Sequence, residues 1–245
     1  MTPPVFLVGT AALAADRVTV DGSEGRHAAV VRRIREGETV DLSDGLGLRA
    51  RCTVSGVGRD HIVCAVVERS EEPAPRPRLT VVQALPKGDR GELAVEMMTE
   101  AGVDTVVPWA AERSVTRWKG DRAAKALAKW RATAREAAKQ ARRGRLPEVA
   151  DLADRSAVAG LLAGADLGVV LHEGGAGRLA ELDLPSGDGP GIVVVVGPEG
   201  GFSDAELDAF GAAGAVRALL GPSVLRTSTA GVAALAVLQA RTGRW

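Results

Sequence analysis

The sequence predicts an α/β protein preceded by a small, mostly β module, and three observations carry that reading. Residues 5–70 hold short β segments separated by Gly and Asp turns. Residues 70–78 (SEEPAPRPR) contain three prolines and no apolar periodicity, and from Leu79 onward apolar strands alternate with helical patterns. With 245 residues, 46% hydrophobic and 25% charged, the chain can bury one large core or two small ones, and its composition excludes disordered, collagen-like and coiled-coil classes.

In the first module the β segments fall at 5–8, 17–20, 38–42, 48–54 and 61–68, with one short helix near 27–35 and turns such as Ser43-Asp44-Gly45. This spacing fits a small barrel. The proline-rich stretch has the composition of a stiff linker, so the boundaries expected are 1–72 and 79–245. In the second part a strand at 79–85, a helix at 90–101, a strand at 103–108 and a long helix at 121–142 follow one another. Three later strands, 167–171, 192–196 and 216–220, are apolar throughout, as parallel strands covered on both faces require. Each runs into a glycine-bearing loop. The closing helix, 227–241, is nearly all apolar and calls for burial against the sheet or a second subunit.

The apolar stretch at 5–15 could pass for a secretory core and cleavage site, but it lacks a positively charged start, and Pro3, Pro4 and Gly9 suit a strand and turn. No run approaches the roughly 20 apolar residues of a membrane span. Cys52 and Cys64 cannot make a disulfide framework, and no Cys/His cluster has zinc spacing, so a reducing cytoplasm and no metal are expected.

Formal net charge is zero, yet its distribution is uneven. Residues 113–145 hold twelve Lys or Arg against two acidic residues, whereas 146–221 hold three basic against twelve acidic. On the 121–142 helix, Leu127, Trp130, Ala134, Ala137, Ala138 and Ala141 recur at helical spacing while Arg131, Arg135, Lys139 and Arg142 line another face. A basic stripe continued by Arg142-Arg143-Gly144-Arg145 is the footprint expected for phosphate-backbone binding. With only seven aromatic residues and no Tyr, recognition by rows of stacked rings is disfavoured.

There is no Gly-x-Gly-x-x-Gly opening a βαβ unit and no Gly-x4-Gly-Lys-Ser/Thr, so dinucleotide and P-loop sites lack their phosphate cradle. What remains is a set of glycine turns after consecutive apolar strands, where open α/β sheets place ligands. In Gly197-Pro198-Glu199-Gly200-Gly201-Phe202-Ser203-Asp204-x-Glu206, Ser203 and Glu206 have the spacing of a capping box. In the segment from Leu220 to Ala230, Arg226 precedes a helix start rich in Ser and Thr. His172-Glu173 could be a coupled pair, although a loop hydrogen bond is the commoner explanation.

Gly197-Pro198-Glu199-Gly200-Gly201, followed by Leu220-Gly221-Pro222 and Leu225-Arg226-Thr227-x-Thr229-Ala230, resembles the ribosomal RNA small subunit methyltransferase E family of the knotted SPOUT class. The resemblance extends over nearly the whole chain through His27-x3-Val31-x-Arg33, Lys87-Gly88, Glu100-x-Gly102-Val103, Glu112-Arg113-Ser114, Trp130, Glu136, Gln140, Arg143 and Pro147-Glu148. It implies an N-terminal PUA-like β-barrel and a C-terminal domain whose trefoil knot holds S-adenosylmethionine. It further implies a cytoplasmic homodimer that methylates N3 of one uridine in 16S rRNA of the small ribosomal subunit. Matching cofactor positions are Leu171, Gly197, Glu199, Gly201, Leu220, Gly221, Leu225 and Arg226, with Thr227 and Ala230 beside them. RNA contacts are expected from His27, Arg33, Lys87, Arg113, Arg135, Lys139, Arg142 and Arg143.

Three positions depart from the family pattern: Ser223 and Ser228 stand where Arg and Glu are usual, and Arg142 where glycine is common. Loss of the proton on uridine N3 leaves an anion that Arg226, always protonated, can stabilise but cannot create. The base is then Glu199, a residue of the other subunit, or water. A different RNA substrate, or an assembly factor without catalysis, are the alternative readings.

Overall fold

The computed structural model describes residues 2–245, which divide into two units. The first takes in the residues up to Ala74 together with Ala138–Leu146; the second comprises Pro75–Ala137 and Pro147–Trp245.

In the first unit β1 (Val5–Leu7), β2 (Arg17–Val20), β3 (Thr39–Ser43), β4 (Leu48–Val57) and β5 (Ile62–Glu71) form a sheet of order β1-β3-β4-β5-β2. β1 pairs with β3 in parallel, and the other pairs are antiparallel. Alternate residues such as Val18 and Val20, or Ala50, Cys52 and Val54, point into a core shared with Phe6, Leu13, Leu42 and Ile62. The stretch at 5–15 is accordingly β1 and a short helical turn with Leu13 buried.

The short helix expected at 27–35 starts earlier. α1 (Gly22–Arg26) leads into a wider turn over His27–Val31, closed by the Arg32 amide donating to the His27 carbonyl at 2.8 Å. Gly25 hides this start from a reading based on propensity: a Cβ there would lie 2.4 Å from the Val20 carbonyl oxygen, so close backbone approach dictates glycine inside a helix. Arg33, at φ 53°, stops the helix before 35.

Residues 138–146 join this unit through its β3–β4 turn. The Gly47 amide donates to the Gly144 carbonyl at 3.1 Å, and the Leu146 amide to the Gly45 carbonyl at 2.8 Å. Lys139 closes the arrangement with a 2.9 Å ion pair to Glu24, both side chains largely buried. Arg142 adopts φ 56°, a left-handed conformation that explains the preference for glycine at this position.

The second unit is built on seven strands, all parallel, in the order β10-β12-β9-β11-β6-β7-β8. In chain order they are β6 (Leu79–Ala84), β7 (Thr105–Trp109), β8 (Glu148–Val149), β9 (Leu167–Leu171), β10 (Gly177–Arg178), β11 (Ile192–Val196) and β12 (Val216–Leu219). Helices α2 (Arg90–Glu100), α3 (Asp121–Gln140), α4 (Arg155–Ala163), α5 (Asp204–Ala212) and α6 (Thr227–Arg241) intervene. β11 is apolar throughout because it is covered on both faces. Ile192, Val194 and Val196 join a core with residues of α2, α3 and α6, while Val193 and Val195 join a second with residues of α4 and α5. The 121–142 pattern gives α3, which ends at Gln140. The elements at 148–149, 155–163 and 177–178 have no counterpart in the sequence reading.

The C-terminal end is latched. Arg244 donates to both carboxylate oxygens of Asp104, at 2.7 and 3.2 Å, and to the carbonyls of Pro77 and Gly102. Both partners are mostly buried, so Arg244→Ala, which strands the Asp104 charge, is expected to cost about 3 kcal/mol in urea unfolding. Burial pushes the Cys52 thiol up to about 11 and the Cys64 thiol up to about 12. The native thiols therefore stay protonated at pH 8, and a disulfide reagent should label neither until the protein unfolds. Because the folded values lie above the ordinary 9.0, the protection is complete below pH 9 and stability falls as pH rises from 9 toward 11–12.

Candidate active site

Since every strand of the second sheet runs the same way, the loops leaving β6, β7, β9, β11 and β12 emerge at one edge. There the 172–173, 197–202 and 224–227 segments enclose a cavity of about 530 Å³, floored by Leu171 and Val196 and flanked by Ala230 of α6.

The 197–201 turn is fixed from both sides. Ser203 and Glu206 form the capping box at the start of α5, and Glu206 accepts the Ser203 amide at 2.8 Å through one oxygen and the Glu112 amide at 2.7 Å through the other. The Ser203 hydroxyl donates to Glu112 at 2.7 Å. Thr227, opening α6, donates through its hydroxyl to the Gly197 carbonyl at 3.1 Å, joining the two glycine-bearing segments. Phe202 stacks on buried Trp109, ring centroids 5.7 Å apart. A Cβ on Gly197 would come within 2.7 Å of the Phe202 ring, and Gly201 sits at φ 70°, so both places demand glycine.

Charged groups around the cavity are unequally committed. The Glu199 carboxylate accepts the Lys87 amide at 3.2 Å and pairs with Arg90 at 3.8 Å, bracing the β11 turn against the loop after β6. Arg113 donates to the Gly200 carbonyl at 3.4 Å. His172 accepts the Gly174 amide at its Nδ1, 2.9 Å, so the loop hydrogen bond is the arrangement formed rather than a pair with Glu173. Among the described residues the Arg226 guanidinium and the Glu173 carboxylate have no hydrogen-bond or ion-pair partner.

Of the positions singled out in the sequence, Leu171, Gly197, Glu199, Gly201, Leu225, Arg226, Thr227 and Ala230 line this cavity. Leu220 and Gly221 do not; Leu220 packs against the core on the α6 side. Arg113, expected on the RNA-binding face, is part of the cavity wall. Arg90, His172, Glu173 and Val224 were missed as lining residues. Their signal was only topological, since each lies in or just after a loop at the carboxyl end of a strand.

The other basic positions are scattered through both units. Half-buried His27 packs its ring edge on to Phe6, centroids 6.0 Å apart. Arg33 and Arg142 are exposed in the first unit, where Arg143 is half-buried; Lys87 and Arg135 are exposed in the second. Lys139 corrects the sequence reading: only 7% of its side chain is exposed, and its ammonium is spent on Glu24, so it is not part of an open basic face.

Comparison with known proteins matches residues 72–239 to the RNA methyltransferase domain family and residues 20–67 to the RNA methyltransferase PUA domain. A ribosomal RNA small subunit methyltransferase E from Mycobacterium bovis is 45% identical over 100% of this chain and 94% of its own length. The chain belongs to the ribosomal RNA small subunit methyltransferase E family. A Neisseria gonorrhoeae member, solved bound to S-adenosyl methionine, superposes with a TM-score of 0.87 at 27% identity, covering 98% of each chain. A putative methyltransferase from Legionella pneumophila, solved with the same cofactor, gives 0.85 at 26% identity, again over 98% of each. Family membership thus coincides with the cavity on which the two glycine-bearing turns converge.

Thr227→Val keeps the shape of the side chain but leaves the Gly197 carbonyl without its donor. It should lower unfolding free energy by about 1–2 kcal/mol in chemical denaturation, whereas Thr227→Ser should retain most of the stability.

Proposed function

We propose that this protein uses S-adenosylmethionine to methylate N3 of a uridine in 16S rRNA of the small ribosomal subunit. The observation that carries the reading is the convergence of Gly197–Gly201 and Leu225–Ala230 on one cavity in a member of this methyltransferase family. Its volume is of the size that small-molecule sites have, and its floor is backbone and apolar side chain, which suits an adenosine better than a metal-centred chemistry. Among the described residues no group of three His, Cys, Asp or Glu side chains could hold a metal ion.

In this reading the loops after β9, β11 and β12 form the knotted cofactor cradle, with Leu171, Gly197, Gly201, Leu225, Thr227 and Ala230 holding the nucleotide. The bound cofactor supplies an electrophilic methyl carbon. Arg226, exposed at the cavity mouth with its charge uncompensated, stabilises the negative charge that develops on the uracil ring when N3 loses its proton. Glu199 acts as a brace for the β11 turn, because its carboxylate is engaged by Arg90 and the Lys87 amide. Ser228, buried in the first turn of α6, offers no carboxylate.

The first unit serves as a PUA-like barrel that meets RNA through Arg33, Arg142 and Arg143, joined by Lys87 and Arg135 of the second. The protein works as a cytoplasmic homodimer, and the apolar composition of α6 supports a partner subunit near the site. No helix among the described residues is long and apolar enough to cross a membrane.

Incubation with undermethylated small subunits and labelled methyl donor, followed by mass spectrometry of 16S rRNA fragments, should place one methyl group on one uridine; label on another RNA, or none, would overturn the assignment. Arg226→Ala is expected to lower the single-turnover rate about 100-fold while leaving cofactor affinity nearly unchanged by calorimetry. Arg142→Gly relieves a left-handed backbone and removes one phosphate contact. It should leave stability equal or up to about 1 kcal/mol higher, and reduce the logarithmic salt dependence of subunit binding by about one.

A further inference from the structure

Uridine N3 carries a proton that no arginine can accept, so the reaction proposed above needs a base. Two carboxylates line the cavity, Glu173 and Glu199, and one imidazole, His172. A proton on Glu199 would neutralise the carboxylate that Arg90 and the Lys87 amide hold in place, undoing the brace between two cavity walls. His172 is excluded by its tautomer: with Nδ1 accepting the Gly174 amide at 2.9 Å, the neutral ring already carries its proton on Nε2 and can only donate there.

Glu173 has neither commitment. It is exposed at the cavity mouth with no hydrogen-bond or ion-pair partner among the described residues. Its backbone, however, is fixed. The Gly175 amide donates to the His172 carbonyl at 3.0 Å, which puts Glu173 at the corner of a tight turn, and the His172 amide donates to the Ala218 carbonyl of β12 at 3.1 Å. At Gly175 the chain passes so close to β12 that a Cβ would stand 2.8 Å from the Ala218 carbonyl carbon. A free carboxylate is thus presented on an anchored turn, across the same cavity that Arg226 lines.

We propose that Glu173 is the general base of the methyl transfer. One of its carboxylate oxygens takes the N3 proton, and the nitrogen lone pair forms the new N3–C bond to the methyl carbon. The C–S bond breaks with its electron pair remaining on sulfur as a neutral thioether, and the proton passes from Glu173 to water after product release. Arg226 stays protonated throughout and balances the charge that Glu173 draws out of the ring.

The inference rests on the uridine-N3 reading, and the test separates the two. Wild-type protein, Glu173→Gln and Glu199→Gln are compared in single turnover at saturating S-adenosylmethionine on small subunits reconstituted with unmodified 16S rRNA, and again with 5-fluorouridine in place of uridine. Fluorine acidifies N3–H and lessens the need for a base. Glu173→Gln is expected to slow transfer to uridine about 10²–10³-fold with calorimetric cofactor affinity held within about twofold, and to recover most of the loss on the fluorinated substrate. Glu199→Gln should instead weaken cofactor binding and gain nothing from fluorine. Glu173→Gln acting at the wild-type rate, or a loss that fluorine does not recover, would overturn the role of Glu173. Wild-type protein that leaves uridine unmethylated would overturn the reaction itself, and the base with it.

Discussion

The parallel direction of all seven strands in the second sheet is the constraint from which the site follows. A parallel strand cannot return by a tight hairpin, so each chain reversal from β6, β9, β11 and β12 is made by a longer loop, and these loops share one edge. An edge made of loops would be soft if its backbone polar groups were left to water. Here the Glu206 carboxylate takes two amides, the Ser203 hydroxyl joins Glu112 to α5, and the Thr227 hydroxyl takes the Gly197 carbonyl. The buried Trp109, Phe202 and Phe210 rings pack as a rigid base beneath. Glycine supplies shape, and the side chains of neighbouring segments supply stiffness.

That division separates charges that build the site from charges available to a substrate. Glu199, Arg90 and Arg113 bind loop to loop, and their geometry explains why a Gly-Pro-Glu-Gly-Gly turn carries an acid at all: without Glu199 the loop after β6 would have no anchor on the β11 turn. Glu173 and Arg226, of opposite sign, remain uncommitted. A preorganised site needs both kinds, because groups that hold geometry cannot also change protonation without loosening it.

Much of this architecture was legible because burial on both faces leaves a simple signature. The apolar runs at 167–171 and 192–196 coincide with β9 and β11, and the final helix coincides with α6. Ser203 and Glu206 could be read as a capping box because both partners lie within one turn. What escaped depends on distant or purely steric partners. Gly25 disguises the start of α1 because its reason for being glycine is a carbonyl on another element. β8 is two residues long and recognisable only by its pairing with β7. Residues 138–146 look like the tail of a basic helix, yet their hydrogen bonds are made to the β3–β4 turn about a hundred positions earlier.

The basic segment shows how a local charge count misleads. Its twelve cations over residues 113–145 meet only two acids in sequence, but three are neutralised by carboxylates from elsewhere: Lys129 by Glu92, Arg131 by Asp151 and Lys139 by Glu24. The exposed pairs with Glu92 and Asp151 are weak and can yield to a phosphate at little cost. The buried pair cannot, since removing Lys139 from Glu24 would leave an isolated carboxylate out of water. The stripe on α3 is therefore graded, with displaceable charge at Lys129 and Arg131 and a structural charge near its end. An RNA backbone following the helix would find its last strong contact not at Lys139 but at Arg142, one turn on, where the left-handed backbone turns an exposed side chain away from the helix end.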